Sequence, residues 1–170
     1  TSHTAQNVTP LKDEVATKFV GDYLAVNALL NFDKPVTHGV QTEQDWHFEH
    51  KAKQHAALMA SMDVIKDTFK QFKELTNREY KVVEQYKMDD AEIAIVCLGS
   101  TFETATLAVD QIRKEEGIKI GIVAPRVFRP FPLEEIADSL QNVKAVACMD
   151  RSAPGGTVGA LYNEISGALI

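Results

Sequence analysis

The chain has 170 residues, a formal net charge of −6, a quarter of its residues charged and only two cysteines. That length suits one domain, or one domain plus an appendage, and allows a genuine core. The acidic balance, with an estimated pI of 5.4, argues against a nucleic-acid or anionic-membrane partner, and two cysteines exclude an ordinary four-cysteine iron–sulfur site within this chain. No apolar stretch approaches a membrane span and no charged-then-apolar leader opens the chain, so the expected address is cytoplasmic. The opening Thr1 and the closing Ile170, inside a helix-like stretch, are expected to be cut ends of a larger polypeptide.

Residues 1–10 are polar and aperiodic, which predicts an extended connector. Residues 11–30 predict a helix, with Val15, Phe19, Tyr23 and Val26 at three- and four-residue steps, ended by Asp33-Lys34-Pro35. A connector over 35–42 leads to the longest helical stretch, residues 43–76, whose Trp46, His50, Ala57, Met62, Ile65, Phe69 and Phe72 form one broad stripe. Asn77 to Tyr80 breaks it, and Val82 to Tyr86 predicts a short strand.

Three βα units follow. The runs Ile93 to Leu98, Ile118 to Val123 and Val143 to Met149 lack polar alternation, as strands do when helices cover both faces of a sheet. Helices are expected over 102–116, capped by Ser100 or Thr101 and closed by Gly117, over 132–140, and from Gly156 or Thr157 onward. The fold class is therefore α/β, a parallel sheet with flanking helices preceded by a mainly helical segment. The expected division is 1–80 and 81–170.

In such a sheet, ligands and partners gather at the carboxyl ends of the strands, which nominates three turns on one edge. Gly99-Ser100-Thr101 is either an anion cradle at a helix start or a turn glycine with a hydroxyl cap. Arg126 to Pro132, with Arg129 before the first of two prolines and Phe131 between them, suits an inter-subunit anchor or a loop that packs on itself. Asp150-Arg151 followed by Gly155-Gly156 suits a ligand cradle, a docking point for another chain's backbone, or a plain connector with a local ion pair. Cys97 and Cys148, each in a strand, read as small buried hydrophobes without a mutual disulfide. His47 and His50 lie one helical turn apart, but His55 is about 140° away round the helix, and no acidic third ligand completes a metal site. No carboxylate pair or Ser–His–acid set is assignable, so no catalytic residue is expected here.

The segment from Asp89 through Ser100, the run Phe128-Arg129-Pro130-Phe131-Pro132, and Asn142 through Arg151 resemble the second domain of the α subunit of 2-oxoacid:ferredoxin oxidoreductases, the pyruvate synthase family. Thr1-Ser2-His3 resembles the family's Arg-Thr-Ser-His segment, cut after its arginine, near the end of the preceding pyrimidine-binding domain. The resemblance is strongest over 89–151 and loose over 10–75. It implies a fold similar to the C-terminal domain of transketolase, which mainly organises subunit contacts, with Ser2 and His3 approaching the substrate side. It implies a complex that decarboxylates a 2-oxoacid, most often pyruvate, on thiamine diphosphate with Mg2+. The acyl group passes to coenzyme A and the electrons pass through [4Fe-4S] clusters to ferredoxin. The implied partners are β-, γ- and δ-type subunits or domains. Neither the catalytic glutamate nor the diphosphate–magnesium motif of the family has a match here, so the cofactors are expected on other parts of the enzyme. Two other readings stand beside it: a stand-alone module binding a small anion or nucleotide, and the equivalent domain of another thiamine enzyme.

Overall fold

Hydrogen bonding between four short strands builds the sheet. The computed structural model describes Ala5, residues 8–39 and residues 41–170, so the expected roles of Ser2 and His3 lie outside the described residues. Two units separate, one over Val8–Glu79 and one that includes Tyr80–Ile170.

In the second unit, β1 (Val83–Tyr86), β2 (Ile93–Val96), β3 (Ile120–Pro125) and β4 (Ala145–Cys148) stand in the order β1-β3-β2-β4. β2 pairs with β3 and with β4 in parallel, as the three apolar runs require. β1 runs antiparallel to β3, with Val83 opposite Pro125 and Tyr86 opposite Ile122. The sheet is thus mixed rather than wholly parallel. A four-residue strand carries no mark of its direction, and the short turn after Tyr86 leaves β1 on the far side of β3.

The helices α3 (Thr101–Glu116), α4 (Leu133–Leu140) and α5 (Ala160–Leu169) follow β2, β3 and β4 in turn. On one face, Val109 of α3 closes over Cys97, Ile120 and Ile122, with Phe102, Ala105 and Ile112 around them. On the other, Ile136 and Leu140 of α4 and Leu161 and Ile165 of α5 are buried, and Ala94, Val96 and Val123 are sealed. Every residue of β3 is buried, whereas β4 alternates exposed and half-buried. The expectation of full cover on all three runs therefore fails at β4, which is an edge. Composition alone does not rank strands by their place in a sheet.

Two electrostatic clasps fix the edge opposite the strands' carboxyl ends. Tyr86 Oη donates to Asp110 at 2.8 Å and Lys87 pairs with the same carboxylate. Arg113 donates to Ile120 O at 2.6 Å and Lys87 O at 2.8 Å, and pairs with Asp90 at 2.8 Å. Lys87 first, then the Tyr86 hydroxyl, hold the Asp110 carboxyl below its usual range, and Arg113 does the same for Asp90. Gly121 faces Lys87 O across a gap that a Cβ would narrow to 2.7 Å, so this strand position admits no side chain without a shift.

In the first unit, α1 (Asp13–Val20) packs on α2 (Gln44–Thr76), with Phe19 edge-on to Phe72 at 5.2 Å. The helix expected over 11–30 stops at Gly21, whose φ of 70° ends it despite the apolar spacing beyond. Tyr23, Leu24 and Phe32 stand more than 80% exposed. α2 matches the long helix, and Asn77, in the left-handed conformation, terminates it. Its expected stripe is half-buried at Met62, Ile65, Phe69 and Phe72, while Trp46, His50 and Ala57 are exposed.

Candidate interface edge

The parallel pairing of β2 with β3 and β4 brings the three nominated turns to one edge of the sheet. Two shallow clefts form there. One, about 310 Å³, is lined by Gly99, Ser100, Phe102 and Glu103 after β2, by Ala124, Pro125 and Arg126 at the end of β3, and by Glu84 of β1. The other, about 300 Å³, is lined by Leu98, Gly99 and Thr101 after β2 and by Met149, Asp150 and Arg151 after β4. Gly99, with φ of 60°, belongs to both, because the middle strand of the three opens between its neighbours.

Arg126, Arg129 and Asp150 at this edge are engaged locally, whereas Ser100 is not. Ser100 occupies the N-cap position of α3 in a helical conformation and makes no side-chain cap bond, so the expected hydroxyl cap is not formed. Arg126 gives Nη2 to Glu84 Oε1 at 2.7 Å and lays its guanidinium 4.7 Å from the Tyr80 ring centroid. Glu84 reaches Arg126 because β1 lies antiparallel beside β3, a partnership hidden from a reading that lacks the register.

Arg129 donates to Phe128 O at 2.7 Å, pairs with Glu164 of α5, and lies over the Phe128 ring. Phe131 is 9% exposed and meets Phe128 edge-on at 5.7 Å, while Pro130 and Pro132 are buried beside it. Pro130, Phe131 and Pro132 thus pack on their own domain, with the Phe131 ring turned inward. The Arg129–Pro130 peptide is cis.

Asp150 accepts from the backbone amides of Ser152 at 2.9 Å and Leu161 at 2.8 Å, so it closes the β4–α5 loop and caps α5 instead of pairing with Arg151. Those two amides hold its carboxyl below the usual carboxylate range. Gly159 makes the closure possible, because a Cβ there would lie 2.9 Å from Ser152 O and 3.0 Å from Asp150 Oδ2. Gly155 and Gly156 are exposed in the loop, and α5 begins at Ala160, three to four residues later than expected. An acidic residue closing a strand, followed within ten residues by glycine and a helix, was the available signal for this cap.

Cys97 is fully buried and Cys148 half-buried; both are free, and burial pushes both thiols up. Among the described residues, no group of three or more His, Cys, Asp or Glu is placed to hold a metal ion, His47, His50 and His55 included. No helix among the described residues is long and apolar enough to cross a membrane.

Residues 91–170 match the model of pyruvate:ferredoxin oxidoreductase core domain II. They belong to that domain family. The matched residues run from β2 through α5 and line both clefts, except for Glu84 of β1 in the first. Beyond domain II the similarity extends along the whole chain. It is 39% identical over 168 residues to pyruvate synthase subunit PorA of Thermotoga maritima and 33% to PorA of Methanothermobacter thermautotrophicus, covering 99% of this chain and 43% of each relative. Ketoisovalerate oxidoreductase subunit VorA of Pyrococcus abyssi is 32% identical, again over 99% of this chain and 42% of the relative. The chain therefore spans less than half the length of these curated relatives. Among solved structures, a 2-oxoglutarate:ferredoxin oxidoreductase from Magnetococcus marinus matches 64% of this chain and 18% of that chain, at 19% identity and a TM-score of 0.44.

Proposed function

We propose that this chain is the domain II portion, with the end of the preceding domain and a helical linker, of an α-type subunit of a 2-oxoacid:ferredoxin oxidoreductase. Its work is to organise contacts between subunits rather than to carry the chemistry. One observation carries the reading: similarity of 31–39% to PorA subunits along 99% of the chain, anchored by the domain II match. The class of substrate is a 2-oxoacid, and pyruvate is the member proposed. VorA relatives fall in the same identity range, which is what a domain remote from the substrate would give.

The residues here do not fit the family's cofactors. A [4Fe-4S] cluster takes four thiolates, whereas this chain has two cysteines, both with thiol acidity suppressed by burial. No described carboxylate cluster suits a Mg2+-diphosphate. The clusters and Mg2+ are therefore assigned to other parts of the enzyme, as the family resemblance implies for thiamine diphosphate and coenzyme A, and no chemical step is derived through them here. The expected partners are β-, γ- and δ-type subunits, with ferredoxin reached through the complex.

The stand-alone anion-binding reading is not favoured. Its best cation, Arg126, is neutralised by Glu84, and Ser100 contributes no cap bond at the cleft. The test is purification of the full-length protein with its native partners under anaerobic conditions. Coenzyme-A-dependent reduction of a viologen dye is then measured with pyruvate, 2-oxoisovalerate and 2-oxoglutarate. Activity on pyruvate with co-purifying iron–sulfur subunits supports the proposal; a lone, colourless polypeptide inactive on all three rejects it.

A further inference from the structure

The seam between α1 and α2 is longer on α2 than α1 can cover. Arg78, just past the end of α2, donates to Thr9 O at 2.8 Å, and Phe19 meets Phe72 at 5.2 Å, so the two helices run antiparallel. Along α2, Leu58, Met62, Ile65, Phe69, Phe72 and Thr76 recur at alternating four- and three-residue steps, the pattern of a helix that pairs with another helix. On the other side of the seam, α1 stops at Val20, yet the same alternation runs on from Phe19 through Tyr23, Val26 and Leu30. Continued from Phe19 and Phe72, the two sets of steps place Tyr23 opposite Phe69, Val26 opposite Ile65 and Leu30 opposite Met62. They also bring Asp22 beside Lys70, a pair of opposite charge. In the structure Tyr23, Val26 and Leu30 are instead 92%, 76% and 81% exposed, and Met62, Ile65 and Phe69 are only half-buried.

Gly21 separates the two arrangements. Its φ of 70° and ψ of −171° lie in a region that essentially only glycine visits, and this turn ends α1. Glycine also adopts helical angles, at a small entropic cost, so the same residue allows α1 to continue. The course of the chain permits it: from Gly21 the backbone must reach Gln44, roughly 40 Å from Phe72 at 1.5 Å per helical residue, and so travels toward the start of α2 in either arrangement. With Leu30 opposite Met62, residues 31–43 need to span only about 27 Å, well within an extended reach of about 43 Å.

We propose that residues 22–30 form a strap, hinged at Gly21, that closes on α2 as a helical continuation of α1. Closed, it seats Tyr23, Val26 and Leu30 on Phe69, Ile65 and Met62; open, it offers those three side chains to solvent. The inference rests on the first unit alone and is independent of the substrate.

The test is amide exchange, read by peptide mass spectrometry, on the full-length protein in its complex. Residues 22–30 are expected to exchange more slowly than residues 31–39. Gly21→Ala disfavours the open turn, which an alanine adopts poorly, and is expected to slow exchange over 22–30 by roughly tenfold or more. Val26→Asp substitutes a side chain that is exposed when the strap is open, so it leaves α1 and α2 folded, and is expected to abolish the protection. Exchange over 22–30 that neither variant moves overturns the proposal. Protection that fades on dilution would belong to a second copy of the chain and overturns it equally.

Discussion

Replacing Phe131 by alanine separates a loop packed on its own domain from an exposed subunit anchor. Phe131 is 9% exposed, stacked edge-on against Phe128, and lies two residues before α4, whose Ile136 and Leu140 are buried. Truncating a buried phenylalanine costs about 3–5 kcal/mol, and loss of the aromatic pair accounts for roughly 0.5–1.5 kcal/mol of that. Arg129, half-exposed in its ion pair with Glu164, contributes about 0–1 kcal/mol. The assay is native-state amide exchange on the full-length protein, followed at Ile122 and Val123 of the fully buried strand. At 1.4 kcal/mol per tenfold, Phe131→Ala accelerates exchange there by roughly 100- to 4,000-fold, whereas Arg129→Ala changes it by about fivefold or less. Unaltered exchange in Phe131→Ala, together with loss of subunit association, would refute the placement of that ring.

Three further predictions rest on other parts of the fold. Gly121→Ala drives a Cβ to 2.7 Å from Lys87 O, so a loss of about 1–3 kcal/mol is expected in denaturant unfolding; an unchanged midpoint contradicts the tight approach. Asp90, Glu92, Asp110 and Asp150 all have carboxyl pKa values held below their ordinary 3.8 (Asp) and 4.5 (Glu), so their contribution is complete above those values and is lost as pH falls through the lowered ones. The unfolding midpoint should therefore be insensitive to these groups above about pH 5 and fall on acidification, less steeply in Asp150→Asn, whose carboxyl no longer titrates; equal slopes would contradict this assignment. Cys97, sealed and with its thiol pushed up, should resist iodoacetamide at pH 8 until the protein is unfolded, as read by peptide mass spectrometry; rapid native labelling would contradict its burial.

The βα order was legible because Ile/Val/Ala runs closed by glycine or charge admit few other structures, and the three nominated turns do share an edge. Gly117 and the glutamate-rich start of α4 marked helix ends by local chemistry alone. What stayed hidden was set by pairing rather than pattern. Glu84 meets Arg126, Gln85 meets Ser139 and Lys87 meets Asp110 only because a four-residue strand runs antiparallel beside β3. At α1, apolar spacing outran the break at Gly21 because periodicity counts side chains and ignores backbone sign. At Asp150, two backbone amides outcompeted the adjacent Arg151, which a sequence neighbour rule would have chosen.

The central claim is that this domain organises assembly and leaves the chemistry elsewhere. It is tested most directly by turnover per assembled complex in a full-length variant with Met149, Arg151 and Arg126 replaced by alanine at the exposed rim of the two clefts. Native mass spectrometry would count assembled complexes, and coenzyme-A-dependent viologen reduction with pyruvate would measure their rate. The account predicts fewer assembled complexes, each turning over at the unaltered rate. Complete assembly with turnover lost would place catalytic work on this edge and contradict it.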